Sequence, residues 1–305
     1  MNKNKKRGLR AKMNLYEDYC GNDIIFEPKI EILESHTDKN GITVIDKIKL
    51  ISVDLCQKEN KMFDAVKVKN ECVQWIRDWF AKNGPDCNAV IGISGGKDSS
   101  VAAALCVEAL GRDRVIGVLM PNGYQSDLDD SYTLCNYLNI KHFIINIEPT
   151  VDCCLAGVSS YVICSEQTKI NLPPRIRMAT LYAISQSLNG RVCCTDNASE
   201  AYIGYSTRWG DNVGDFAPLA NLLSDEVVAL GDALELPYEL THKTPSDGLC
   251  GKTDEDNFGF TYKQLNDYIR FGSCGDREVG QKIVKKHFDN MFKLEPIPSF
   301  KPFQS

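Results

Sequence analysis

Ala89-Val90-Ile91-Gly92-Ile93-Ser94-Gly95-Gly96-Lys97-Asp98-Ser99-Ser100 passes from an apolar run through a glycine pair into a polar cluster. The apolar run predicts a buried strand over 88–93. Ser94-Gly95-Gly96 predicts a turn with φ > 0 whose backbone N–H groups no side chain covers. Asp98 or Ser99 is the expected N-cap of a helix over 98–110. Strand, glycine turn and helix N-terminus together make an anion nest of bare N–H donors and a positive dipole end.

Two well-known phosphate motifs do not fit. A Walker A loop needs Gly-x-x-x-x-Gly-Lys followed by Ser or Thr, but Ile91 stands at its first glycine and Asp98 follows the lysine. The Gly-x-Gly-x-x-Gly dinucleotide fingerprint fails as well. What remains, Ser-Gly-Gly-x-Asp-Ser, resembles the pyrophosphate-binding loop of the ATP pyrophosphatase family. Those enzymes split ATP between its α and β phosphates. The plain alternative is a glycine turn before a helix.

The chain has 305 residues, enough for one large domain or two small ones. Its net charge of −6 disfavours a general nucleic-acid surface. No apolar run approaches the roughly 18 residues of a membrane span, so no membrane role is expected. Met1 to Met13 is basic but lacks the apolar core of a secretory signal. The 13 cysteines are scattered, without a Cys-x-x-Cys, which gives a zinc or redox motif no support. Several lie in apolar runs, as buried free thiols do, and the expected setting is a reducing cytoplasm. The adjacent pairs Cys153-Cys154 and Cys193-Cys194 are expected to pack, with redox activity as the alternative.

Residues 2–12 carry six basic residues and no acid, and are expected to be a disordered tail. Ile24 to Leu33 and Ile42 to Leu55 are rich in Ile and Val and flank Asp38-Lys39-Asn40-Gly41, which predicts an N-terminal β-hairpin. Residues 1–61 are therefore read as an extension, and 62–305 as the domain that carries the phosphate loop. Within the latter the spacing predicts a helix over 62–82, a strand over 114–120, a helix over 127–138 and a strand over 141–147. Further helices are expected over 151–161, from Asn171 to about Leu188, and over 225–234, 262–271 and 279–288. A strand is expected over 191–195, and a long loop over 243–257. This alternation implies an α/β fold, a Rossmann-like parallel sheet with helices on both faces. The ligand crevice should lie at the carboxyl ends of the strands, where Ser94 and Thr195 both fall.

The region from about Met62 to Pro298 resembles NAD synthetase. The resemblance is carried by Ser94–Ser99, Pro121-Asn122-Gly123, Arg175-Ile176-Arg177-Met178, Thr195-Asp196-Asn197-Ala198-Ser199-Glu200, Gly210-Asp211, Pro218-Leu219, Lys243-Thr244-Pro245-Ser246-Asp247-Gly248-Leu249 and Asp254-Glu255, in this order. It implies an adenine nucleotide alpha-hydrolase-like fold and ATP-dependent amidation of nicotinic acid adenine dinucleotide to NAD. ATP adenylates the nicotinate carboxylate, pyrophosphate leaves, and ammonia displaces AMP. A homodimer is implied too.

The residues can meet each demand of that chemistry. The resemblance assigns ATP to Gly92, Ile93, Ser94, Gly95, Gly96, Lys97, Asp98 and Ser99, with Thr195 and Ser246. It assigns Mg²⁺ to Asp98 and Glu200, and Mg²⁺ favours one or two carboxylates with phosphate and water. Alone, Asp98 reads as a helix cap and Glu200 as a solvated helix residue. Arg175, Asp215 and Lys293 match substrate-contacting positions, and Arg208 stands where the family usually has Lys for the substrate, so positive charge is kept. Arg177, two residues from Arg175, points to a different helix face and can serve as a structural ion-pair partner. Asp211 is the candidate for binding ammonium and accepting its proton, since only a deprotonated nitrogen has a lone pair for attack.

Two departures stand out. The family often has Lys at the position of Ser224, touching ATP phosphates, and Lys97 could compensate or could face solvent. The family's His-Lys is Phe292-Lys293 here. Residues 1–61 are too short for a glutaminase domain, so free ammonia, or ammonia from a separate protein, is the expected donor. The alternatives are another enzyme of the same loop class, such as a tRNA-thiolating sulfurtransferase, and a non-catalytic ATP-binding sensor.

Overall fold

In the computed structural model, residues 13–17, 23–37, 43–55, 63–125, 128–243 and 253–300 are described, the first three segments as backbone. β1 (Met13–Glu17), β2 (Asp23–Thr37) and β3 (Thr43–Leu55) form an antiparallel sheet in that order. β2 and β3 pair from Phe26↔Leu55 to Thr37↔Thr43, the hairpin expected from the two β-rich runs. β1 is a further strand that the sequence did not indicate. The turn around Asp38–Gly41 and the basic residues 2–12 lie outside the described residues.

From Phe63 onward strands and helices alternate. α1 (Ala65–Asn83) leads into β4 (Asn88–Gly92), and α2 (Lys97–Leu110) into β5 (Val115–Leu119). α3 (Leu128–Tyr137), β6 (Lys141–Ile144), α4 (Glu148–Ser159), α5 (Glu166–Ser187) and β7 (Gly190–Val192) follow. The four strands are parallel in the order β6-β5-β4-β7. Alternate side chains enter opposite cores. Ala89 and Ile91 of β4 pack with Ile76 and Phe80 of α1 and Leu105 of α2. Val90 packs on the other face with Ile116, Val118 and Met120, backed by Ile176, Leu181 and Ile184 of α5. The strand order reverses beside β4, which leaves a crevice between the carboxyl ends of β4 and β7.

Several expectations need correcting. α5 begins five residues before Asn171 and carries Pro173 and Pro174 inside it. Its first turn is secured upstream, where Ser165 caps Thr168 N at 3.2 Å, so the two missing N–H donors do not stop it. α2 is capped by Gly96 rather than by Asp98 or Ser99. The Ser99 hydroxyl turns back instead to Ser94 N at 3.2 Å and Gly96 O at 3.2 Å. β7 stops at Val192 because Cys194 N passes to Phe216 O at 2.9 Å, so Thr195 lies beyond the strand. β6 is likewise shorter than 141–147. Cys153 and Cys154 are exposed on the outer side of α4, whose buried residue is Val151, whereas Cys193 and Cys194 are buried.

The C-terminal part is helical. It comprises α6 (Ala198–Ile203), α7 (Ser224–Ala233), α8 (Tyr238–Thr241), α9 (Asp254–Phe258), α10 (Tyr262–Phe271) and α11 (Arg277–Asn290). α9 falls in the stretch expected to be loop, because Thr253 and Asp256 form a capping box that starts a turn there. Residues 244–252 lie outside the described residues. α6, α9, α10 and α11 enclose a second core around Ile203, Phe258, Leu265 and Ile283.

His287 closes that core. Its ring stacks on Tyr202 at 4.3 Å, and Nδ1 lies 2.6 Å from Tyr202 O. Among the described residues Nε2 is buried without a partner, which fits a neutral ring protonated at Nδ1. Burial lowers the imidazole pKa from its ordinary value. The unfolded chain therefore binds one more proton below about pH 6.5, so this contribution is complete above that pH and lost as the pH falls. The drop in urea midpoint from about pH 7.5 to about pH 5.5 is expected to be smaller in His287→Asn, which keeps a donor near the δ position, than in wild type. Equal drops would refute the assignment.

Candidate active site

The crevice holds a cleft of about 360 Å³ at the carboxyl ends of the strands. One wall is the turn from Gly92 to Asp98. Gly95 has φ +76°, a conformation that suits glycine, and Gly96 is extended at the start of α2. The Ser94 and Ser99 hydroxyls lie 3.0 Å apart and brace the turn from inside. Starting α2 at Lys97 puts Lys97, Asp98 and Ser99 in its first turn, beside N–H groups that have no helical acceptor.

The loop after β7 faces this turn. Asn197 caps α6 by accepting from Ser199 N and Glu200 N at 3.0 and 3.1 Å. Its amide donates to Asp98 Oδ1 at 3.0 Å. Glu200 therefore stands close to Asp98. Lys97 Nζ lies 2.7 Å from Asp98 Oδ2 and 3.9 Å from Glu200 Oε1, and its side chain is 7 % exposed, so it lines the cleft rather than facing solvent. Burial, then the neighbouring Asp98, pushes the Glu200 carboxyl up to about 7. Burial and the charges of Asp211, Glu200 and Asp98 raise Asp196, which also lines the cleft.

Asp211 also lines the cleft and keeps solvent access. It sits in a tight turn where Trp209 has φ +62° and Gly210 N donates to Thr207 O at 2.9 Å. A Cβ at Gly210 would come 3.0 Å from Pro174 Cβ on α5, tight enough that the neighbours would have to give. Thr207 N donates to Asp211 Oδ1 at 2.6 Å. Local desolvation raises the Asp211 pKa, while N–H donors and Lys293 work against it.

The other anticipated residues are spread differently. Thr195 lines the cleft. Arg175 is exposed and donates to Arg208 O at 3.3 Å. Arg208 lies 5.0 Å from the Trp209 ring and 5.7 Å from the Phe292 ring, outside the cleft lining. Lys293 Nζ is held by Gly204 O at 2.8 Å and Ser206 O at 3.2 Å. Asp215 is also outside the lining, accepting from Val192 N at 2.7 Å and Tyr182 OH at 3.4 Å. Ser246 lies outside the described residues. Ser224 is buried away from the cleft, its hydroxyl accepting from Asn266 at 3.0 Å.

The sequence missed several lining residues. Arg177 reaches the cleft wall and donates to Met120 O at 3.0 Å. Lys243 pairs there with Asp130 at 2.5 Å. Asp254 lines the cleft as well, and Tyr262 OH lies 3.0 Å from Glu200 Oε1 and 3.1 Å from Asp254 Oδ2. Arg177, Asp196, Lys243 and Asp254 stand inside the runs that carry the resemblance, so their signal was present. Tyr262 had no such signal, being read only as the start of a helix.

Residues 68–295 match the NAD synthase family. The chain belongs to the NAD synthase family. The NH(3)-dependent NAD(+) synthetase of Pyrococcus furiosus is 38 % identical over 204 residues, which are 67 % of this chain and 77 % of that protein. Among solved structures, NMN synthetase from Francisella tularensis is 35 % identical with a TM-score of 0.72, covering 79 % of this chain and 99 % of that one. The NH3-dependent NAD synthetase from Campylobacter jejuni, solved with a nitrate ion, is 27 % identical with a TM-score of 0.66. It covers 78 % of this chain and all of that one. The four-stranded parallel sheet flanked by helices is the Rossmann-like fold of this NAD synthase family. Membership makes the chain a ligase of NAD biosynthesis that uses ATP.

Proposed function

We propose that the chain amidates nicotinic acid adenine dinucleotide to NAD with ATP and ammonia, through an acyl adenylate, releasing AMP and pyrophosphate. The observation that carries this is the meeting of the Ser94–Asp98 turn, Glu200 and Asp211 in one cleft. A carboxylate is a poor acyl donor, and adenylation replaces oxide with AMP as the leaving group. N–H donors of the turn, with Lys97, stabilise the charge that grows on departing pyrophosphate. Asp98 and Glu200 would hold Mg²⁺, which supplies further neutralisation of that charge. Two close carboxylates with room for phosphate and water suit a hard cation. Asp211, accessible in the same cleft, accepts a proton from ammonium before nitrogen attacks.

Residues 62–305 form the catalytic unit in this reading, and 1–61 an extension. The ten cysteines among the described residues are all unpaired, which supports a reducing, cytoplasmic setting. A homodimer is supported by exposed Tyr161, Val162 and Ile163 between α4 and α5, and sedimentation would test it.

The Francisella tularensis relative is named an NMN synthetase, which favours nicotinic acid mononucleotide as a second acceptor. Purified protein with ATP, Mg²⁺ and ammonium should be given each acceptor in turn. NAD formed one-for-one with AMP and pyrophosphate is the expected result. Faster turnover of the mononucleotide would select the second reading. AMP without either amide would refute both.

A further inference from the structure

Lys97, which stabilises departing pyrophosphate in the reading above, is paired in this structure with carboxylates instead. Its ammonium lies between the two carboxylates that would hold the divalent ion, 2.7 Å from Asp98 Oδ2 and 3.9 Å from Glu200 Oε1. A divalent ion held by those carboxylates would compete for the space that the ammonium fills. An ammonium and a divalent ion cannot share it, because two cations a few ångströms apart in a buried site repel strongly. The carboxylates are not free to part. Asp98 Oδ1 is held by Asn197 at 3.0 Å, and Glu200 Oε1 by Tyr262 OH at 3.0 Å. The Tyr262 ring also lies 5.3 Å from the ammonium and closes its inner side. The long side chain of Lys97 is the part that can move, and the direction left to it is the cleft that it lines.

We propose that Lys97 is a tethered counter-cation, which fills the space between Asp98 and Glu200 in the nucleotide-free protein and gives it up when ATP brings a divalent ion. The displaced ammonium then moves onto the phosphate chain. One residue thus neutralises the carboxylate pair before binding and the phosphates after it. Ser224, buried with its hydroxyl engaged by Asn266, contributes no charge to either. The proposal rests on reading Asp98 and Glu200 as the metal ligands. It requires that the divalent ion bind weakly until nucleotide is present.

The test uses Mn²⁺ alone, titrated into the full-length protein without nucleotide, with free Mn²⁺ read by electron paramagnetic resonance. Lys97→Met removes the competing charge at similar length, and Lys97→Arg keeps it. The Met variant is expected to bind Mn²⁺ at least about tenfold tighter than wild type, and the Arg variant no tighter. Adding Asp98→Asn to Lys97→Met should remove the gain. With ATP present, the Met variant should show a raised KM for ATP, because the phosphates lose their ammonium. Thermal melts establish that each variant is folded, and Lys97→Gln replaces the Met variant should that one melt early. Equal or weaker Mn²⁺ binding by the uncharged variant overturns the proposal, as does a gain that survives Asp98→Asn. The Mn²⁺ readout needs no turnover, so its failure is separate from failure to form NAD.

Discussion

Asp98→Asn is expected to form neither AMP nor NAD, with turnover lowered by roughly 10³-fold or more. The substituted oxygen can still accept the Asn197 amide, so the junction between the two loops survives. What is lost is the charge that faces Lys97 and that would face the metal. A thermal midpoint close to wild type with no AMP in a single-turnover assay is the expected pair of results. AMP released at the wild-type rate would remove Asp98 from the adenylation step.

Asp211→Asn should split the reaction. In the proposed mechanism adenylation does not use this carboxylate, so AMP should still appear in a burst or through slow hydrolysis of the adenylate. NAD formation should fall by about 10²- to 10³-fold. Asn can still accept the Thr207 N–H, which keeps the turn. Raising the pH supplies more unprotonated ammonia from solution and should recover part of the variant's rate. A variant whose loss of NAD matches its loss of AMP at every pH would show that Asp211 acts before ammonia does.

The sequence revealed the sheet and the phosphate turn for related reasons. Apolar runs such as Ala89–Ile93 report their own burial, and a Gly-Gly turn before a helix reports its own backbone. Tyr262–Phe271 agreed with the expectation because Thr261 and Gly272 mark its ends locally. The start of α5 was misplaced because two prolines look like a beginning, and only the upstream Ser165 cap shows otherwise. The resemblance put Lys97 at ATP with solvent as the alternative, but its reach toward Glu200 could not be read. Whether it faced solvent or the cleft depends on Glu200 and Tyr262, far along the chain. Arg175, Arg208 and Lys293 are substrate positions by resemblance alone, and their placement outside the cleft lining is a matter of tertiary packing.

The hydrogen bond from Asn197 to Asp98 spans 99 positions, because β7 pairs directly with β4 although β5 and β6 come between them in the chain. During synthesis the ribosome releases the phosphate turn and three of the four parallel strands well before Glu200 or Tyr262 exist. Closing so long a loop is an entropic cost met only when β7 arrives. A nascent chain halted before Gly190 would carry the motif and still hold nucleotide poorly. Nucleotide capture is therefore a late event in biogenesis, and ATP in the cell should draw finished chains toward the native state by mass action.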